Sequence, residues 1–215
     1  RRHELEETAR LVADAGSKAL VRVTDIRVED ECRLLVRDAV DRFGRLDVLV
    51  NNAAVPGRDE AIVEATVDNW RDTIATNLIA PMVLAREALR QAMVPAASGN
   101  IQFLSSSAAK SVHPRKAHYA VAKMGLLPLA QTLAIEVGAL GIRVNTLVVG
   151  GVAGKPIDRS VAGTADAEGG SPDVVRTRIP AGAALKRLVR PEEVADVSLC
   201  SPRRRPRRSR VRTST

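Results

Sequence analysis

Four short apolar runs punctuate this chain: KALVRVTDI (18–26), LDVLVNNAA (46–54), GNIQFLSS (99–106) and GIRVNTLVV (141–149). Each is rich in Val, Leu and Ile, as a strand buried on both faces is. Each gap between them leaves room for a helix. HELEETARLVADAG has helical spacing and stops at Gly16, EDECRLLVRDAVDRFG stops at Gly44, and a longer pattern runs from Thr66, with Thr66 or Asp68 as its N-cap, to about Val94. Strands alternating with helices of this length predict parallel βαβ crossovers and a doubly wound α/β sheet. Aromatic residues are 2% of a chain that is 45% apolar, so the core is aliphatic. The composition is that of one globular domain, expected over residues 1–200.

Open parallel sheets bind ligands at the carboxyl ends of their strands. Asp25 stands at the first such end, Asn51 and Asn52 at the second, Ser105 and Ser106 at the third, and Gly150 and Gly151 at the fourth. The only tyrosine, Tyr119, lies four residues before Lys123 and thirteen after Ser106. On a helix, residues at i and i+4 share a face. A neighbouring ammonium favours phenolate, so Lys123 is expected to lower the Tyr119 pKa and fit it for acid–base work. Alone, the pair is a weak signal, and such a spacing is far more often a plain amphipathic face.

The surroundings weigh against the plain reading. LVNNAA, ATNL, LSSS, YAVAK and GIRVN occur in the order and spacing of the short-chain dehydrogenase/reductase family, and the chain from Arg1 to about Ser198 resembles that family. The resemblance implies a Rossmann-like fold, NAD or NADP as cofactor, and hydride transfer to or from an alcohol or ketone. It implies that Ser106 polarises the substrate carbonyl, that Tyr119 passes the proton, and that Lys123 lowers the tyrosine pKa and holds the nicotinamide ribose. Ser105 and Ser107 are the neighbouring alternatives. Asn77 in TIATNLIAP matches the asparagine whose backbone carbonyl anchors a relay water. Pro81, lacking an N–H, would leave that carbonyl without its helical partner, or would simply break the helix. Asn51 and Ala53, in NNAA, match the segment against the adenosine ribose. Asp25 and Ile26 match the pair that meets adenine, although an aspartate there is also a common helix cap. Gly150 and Val152 fall in the cofactor-facing segment after the fourth strand.

The departures are as specific as the matches. Val149 and Gly150 replace the family's Pro-Gly, and Gly154 replaces its threonine. GGVAGK lacks the spacing of a triphosphate loop. None of the 215 residues forms the TGxxxGxG turn that cradles a pyrophosphate, so the sheet is expected to lack its first two strands and its last. On that ground the chain as it stands is expected to be inactive. Arg1 and Arg2 fall where a 2′-phosphate would be bound, which favours NADP.

Residues 150–190 turn to Gly, Ala and Pro and are expected to form a mobile loop that selects the substrate. RLVRPEEVADVSL then reads as a late helix. Seven arginines crowd RRRPRRSRVR (203–212), and removing them from the 33 basic residues leaves 26 against 25 acidic ones. The +8 net charge therefore belongs to a basic, disordered tail over 201–215, of the kind a shifted reading frame produces, and the body has no basic surplus. Nucleic-acid binding through that tail, or an inactive remnant, are the alternatives to an enzyme. A nucleic-acid partner is not expected, since the tail has no aromatic residue to stack on a base. No run reaches the 18 apolar residues of a membrane span, and Cys32 and Cys200 suggest neither disulfide nor zinc site. A cytoplasmic homodimer or homotetramer acting on a small alcohol or carbonyl compound is the resulting expectation.

Overall fold

The computed structural model describes residues 2–111, 113–181 and 185–200. The arginine-rich tail expected over 201–215 lies outside the described residues. The elements in chain order are α1 (Arg2–Asp14), α2 (Glu29–Phe43), β1 (Val48–Asn51), α3 (Val67–Ile74), α4 (Ala80–Ala88), β2 (Gly99–Ser106), α5 (Ala117–Val137), β3 (Ile142–Val149), α6 (Lys155–Glu168), α7 (Pro172–Ala181) and α8 (Pro191–Cys200). The three strands form one parallel sheet in the order β1-β2-β3, with Val48 beside Asn100 and Gly99 beside Ile142.

Where sequence pattern and tertiary packing agree, the elements start and stop on local chemistry. Gly44 ends α2 in the left-handed conformation that glycine adopts without penalty, φ 74°. Thr66 rather than Asp68 caps α3, its hydroxyl accepting from the Asn69 N–H. The long pattern from Thr66 to Val94 is one helical rod interrupted by two π-helical turns, Ala75–Ile79 between α3 and α4 and Leu89–Met93 after α4. The first lies just before Pro81, where a missing N–H disrupts regular pairing.

The main core lies on one face of the sheet, where Ile101, Phe103 and Ile142 meet Ala85, Ala88, Leu89 and Met93 from the rod and Leu126, Ala130 and Val137 from α5 and its end. Cys32 and Val36 of α2 pack on Val83 and Leu84 beside it. The opposite face carries Gln102, fully buried, whose amide donates to the Ser198 carbonyl of α8. By length and composition the helix from Ala117 to Leu140 could cross a membrane, unlike the expectation from the run lengths. Here it packs on β2 and β3.

Two expectations are corrected. Residues 18–26 form no strand: they join no ladder among the described residues, and Leu20 and Val23 are exposed. A strand exists through its ladder, and no described strand lies alongside this segment to supply one. The segment 150–190 is not a loop throughout, because α6 and α7 pair through buried Val161, Ala165 and Val175. Its ends are pinned by a bridge between Val152 and Val189. Three widely spaced apolar residues were enough to fold a segment whose average composition reads as loop.

Candidate active site

The carboxyl end of β2 brings Ser105 and Ser106 beside α5, and adjacent side chains of a strand point to opposite faces. Ser105 is buried and its hydroxyl donates to the Lys123 carbonyl at 2.7 Å, which ties strand to helix. Ser106 faces the other way: its hydroxyl accepts from the Ala108 N–H and lies close enough to the Tyr119 phenol to favour its ionised form. The strand's alternation thus gives the two serines different work.

Lys123 is buried and its ammonium donates to the Leu104 carbonyl at 2.8 Å, 5.9 Å from the centre of the Tyr119 ring. Burial lowers its pKa to about 8. The expected lowering of the tyrosine pKa by Lys123 is corrected: burial raises the Tyr119 pKa, and the opposing influence is the nearby Ser106 hydroxyl. The phenol is therefore protonated at neutral pH and sits as a proton donor beside a serine hydroxyl.

Asn77 is fully buried, and its side chain faces the loop after β1, accepting from the Val55 N–H and donating to the Val55 carbonyl. It lies in the π-helical turn, where the Ala80 N–H bonds the Ala75 carbonyl five residues back. Asn69, eight residues earlier, makes the same two-bond clamp on Arg58. Sequence reasoning missed Asn69, one polar residue among several in the mixed first turns of the rod, where nothing local sets it apart. It also missed His118, buried immediately before Tyr119 with a ring nitrogen 3.2 Å from the Pro56 carbonyl.

The residues matched to the adenosine end lie farther along the same edge. Asn51 is buried at the carboxyl end of β1, and neither its amide nitrogen nor its oxygen has a partner. An unpaired buried amide costs a few kcal/mol, so a donor–acceptor ligand at this strand end fits it. Ala53 is exposed two residues on. The Asp25 carboxylate is gripped by the Arg27 guanidinium and accepts its backbone N–H, which holds its pKa near 2. Arg27 in turn reaches Asp72 of α3. Ile26 turns inward against the α2 core. At the carboxyl end of β3, Val149 pairs in register with Ser106, which puts Gly150, exposed, next to that strand end, while Val152, half-buried, follows two residues on. Arg2 stands apart from these residues, pairing with Glu6 on exposed α1.

A family model described as enoyl-(acyl carrier protein) reductase matches residues 1–205. An uncharacterized NAD-dependent oxidoreductase of Mycobacterium tuberculosis is 43% identical over 145 residues, 67% of this chain and 52% of its own. The short chain dehydrogenase/reductase astE of Aspergillus oryzae is 33% identical over 190 residues, 88% of this chain and 70% of its own. The chain therefore spans about half the length of the mycobacterial relative. Among solved structures, an actinorhodin polyketide ketoreductase with NADPH superposes with a TM-score of 0.89 at 29% identity, covering 94% of this chain and 78% of that one.

Proposed function

The chain belongs to the short-chain dehydrogenase/reductase family, and from that premise we propose that it carries the catalytic half of an enzyme moving hydride between a nicotinamide dinucleotide and an alcohol or ketone carbon. The observation that carries this reading is the convergence at the end of β2 of Ser106, whose hydroxyl acts on the Tyr119 proton, with the buried Lys123 ammonium 5.9 Å from the centre of the phenol ring. When bound, the nicotinamide supplies or takes the hydride. Ser106 donates to the substrate oxygen, and Tyr119 gives that oxygen its proton as the carbon gains hydride, or takes it back in oxidation. Lys123, its ammonium beside the phenol ring, would hold the ribose hydroxyls, while Asn77 holds the loop after β1. The unpartnered Asn51 amide, Ala53, Asp25 and Ile26 would line the adenosine end, and Gly150 and Val152 the nicotinamide end.

The mycobacterial relative's name favours NAD, and Arg2, bound to Glu6, lends NADP no support. The ketoreductase favours a carbonyl compound as substrate. Two free thiols, Cys32 and Cys200, suit a reducing cytoplasm. An apolar groove of about 700 Å³ along α3, lined by Ile62, Val67, Trp70, Ile74 and Ile79, together with exposed Ile135 on α5, supports association of copies.

For these 215 residues by themselves the proposal is weak dinucleotide binding without turnover, since no glycine-rich turn is present and residues 17–25 have no ladder partner. The test pairs calorimetric titration of the chain with NAD and NADP with the same titration after fusing a glycine-rich strand–turn–helix–strand unit ahead of the chain. Tighter binding and hydride transfer are expected only in the fusion, and Tyr119→Phe should cost at least about 10²-fold in kcat there. Turnover surviving that substitution would refute the assignment.

A further inference from the structure

The start of α5 carries the proton donor yet has little of its own to fix it. Lys116 occupies the N-cap position without a side-chain cap bond, and the first turn holds no acidic residue. What fixes it is the loop after β1. The Glu60 N–H donates to the Arg115 carbonyl, the Arg115 guanidinium donates to the Asp59 carbonyl, and the Lys116 ammonium pairs with the Asp59 carboxylate. The loop is itself held rigidly against the rod, by Asn77 at Val55 and by Asn69 at Arg58.

Between those two clamps His118 enters the loop. Its ring is 1% exposed, lies edge-on to Trp70 with centroids 6.2 Å apart, and touches the Pro56 carbonyl. Gly57 makes the space. Its φ is +68°, and a Cβ there would fall 2.4 Å from His118 Nε2 and 2.7 Å from the buried Thr73 hydroxyl. Any side chain would displace the ring, so glycine is required on both conformational and steric grounds.

We propose that His118 is a positioning residue for Tyr119, a peg seated in the 55–60 loop that sets the rotation and height of the first turn of α5. The imidazole and the phenol are consecutive, so a shift of one moves the other. Ser106 hangs on a different element, β2, and stays beside the phenol only if the turn is seated. The same loop runs on from Asn51, so a ligand that pairs the Asn51 amide would stiffen the surface on which the peg rests.

This inference rests on the reading of Tyr119 as proton donor, but its test does not require activity. Because Tyr119 is the only tyrosine, phenolate absorbance reports it alone. The groups facing the phenol are Ser106 and Lys123. In the wild-type chain the midpoint lies above that of free tyrosine. His118→Ala should lower it by about one pH unit as the turn relaxes toward water, and His118→Gln, which keeps a donor for Pro56, should restore it. If His118→Ala does not fold by far-UV circular dichroism, His118→Leu supplies the bulk without the donor. An unchanged midpoint in the folded donor-less variant, or equal shifts in it and His118→Gln, would overturn the proposal. In the fusion described above, the Ala or Leu variant should lose about tenfold or more in kcat with an unchanged KM for dinucleotide. A fusion with no turnover at all would sink the enzymatic reading and leave the titration result standing.

Discussion

The Asn77 side chain and the Val55 backbone exchange two hydrogen bonds, of 2.9 and 2.8 Å, across 22 residues of sequence. A fully buried amide in the π-helical turn thereby fixes the loop that leaves β1. Asn77→Ala leaves both Val55 groups to find water, and Asn77→Asp sets a carboxylate against a carbonyl. The expected cost is about 1–3 kcal/mol, larger for Asp, or a Tm lower by roughly 2–10 °C. Thermal unfolding of the two variants checks the order, and equal stability for Asp and wild type would contradict the clamp.

The two neighbouring serines should separate cleanly. Ser105→Ala removes the buried bond to the Lys123 carbonyl and should cost about 1 kcal/mol of stability with a modest loss of rate. Ser106→Ala should leave stability nearly unchanged and lower kcat in the fusion by about 10²-fold or more. Chemical denaturation beside steady-state rates decides it. A larger rate loss for Ser105→Ala would reverse the assignment.

Lys123 makes stability depend on pH in a stated direction. Its folded pKa, about 8, lies below the unfolded value of 10.5, so between those values the unfolded chain binds the extra proton and stability rises with pH. The rise is of the order of 3 kcal/mol. Tyr119 acts oppositely: its folded pKa is raised, so stability falls once the unfolded phenol ionises, above about pH 10. Denaturant midpoints for the wild type should climb from pH 8 toward pH 10 and then turn down. Lys123→Met should abolish the climb.

Ser198 and Gln102 join α8 to the sheet. The amide donates to the Ser198 carbonyl, and the Ser198 hydroxyl donates back to the Gln102 side-chain oxygen. No side chain of α8 is fully buried, so this link is a large part of its anchorage. Ser198→Ala should speed amide exchange across 191–200 several-fold while β2 stays protected. Uniform acceleration through β2 would show instead that the link supports the whole sheet.

The strands within 46–54, 99–106 and 141–149, the helices between them and the family were legible from the residues alone. Those signals are local: apolar runs, the glycine stop at Gly44, the threonine cap at Thr66, and short motifs in fixed order. That Tyr119 and Lys123 share a helix face was legible too, because helical spacing alone places them so. Tertiary structure decided the rest. Residues 18–26 have a strand's composition but no ladder, since pairing needs a neighbour that composition cannot provide. The helices at 155–181 exist because three spaced side chains find each other, which an average over forty residues hides. Whether Lys123 or burial governs the Tyr119 proton depends on which groups end up within reach of the phenol, and burial wins. The partners of Asn69, Asn77 and His118 lie at Arg58, Val55 and Pro56, all on the loop after β1. Only the fold brings that loop against the rod and the start of α5, because the contacts that hold it join residues far apart in the chain.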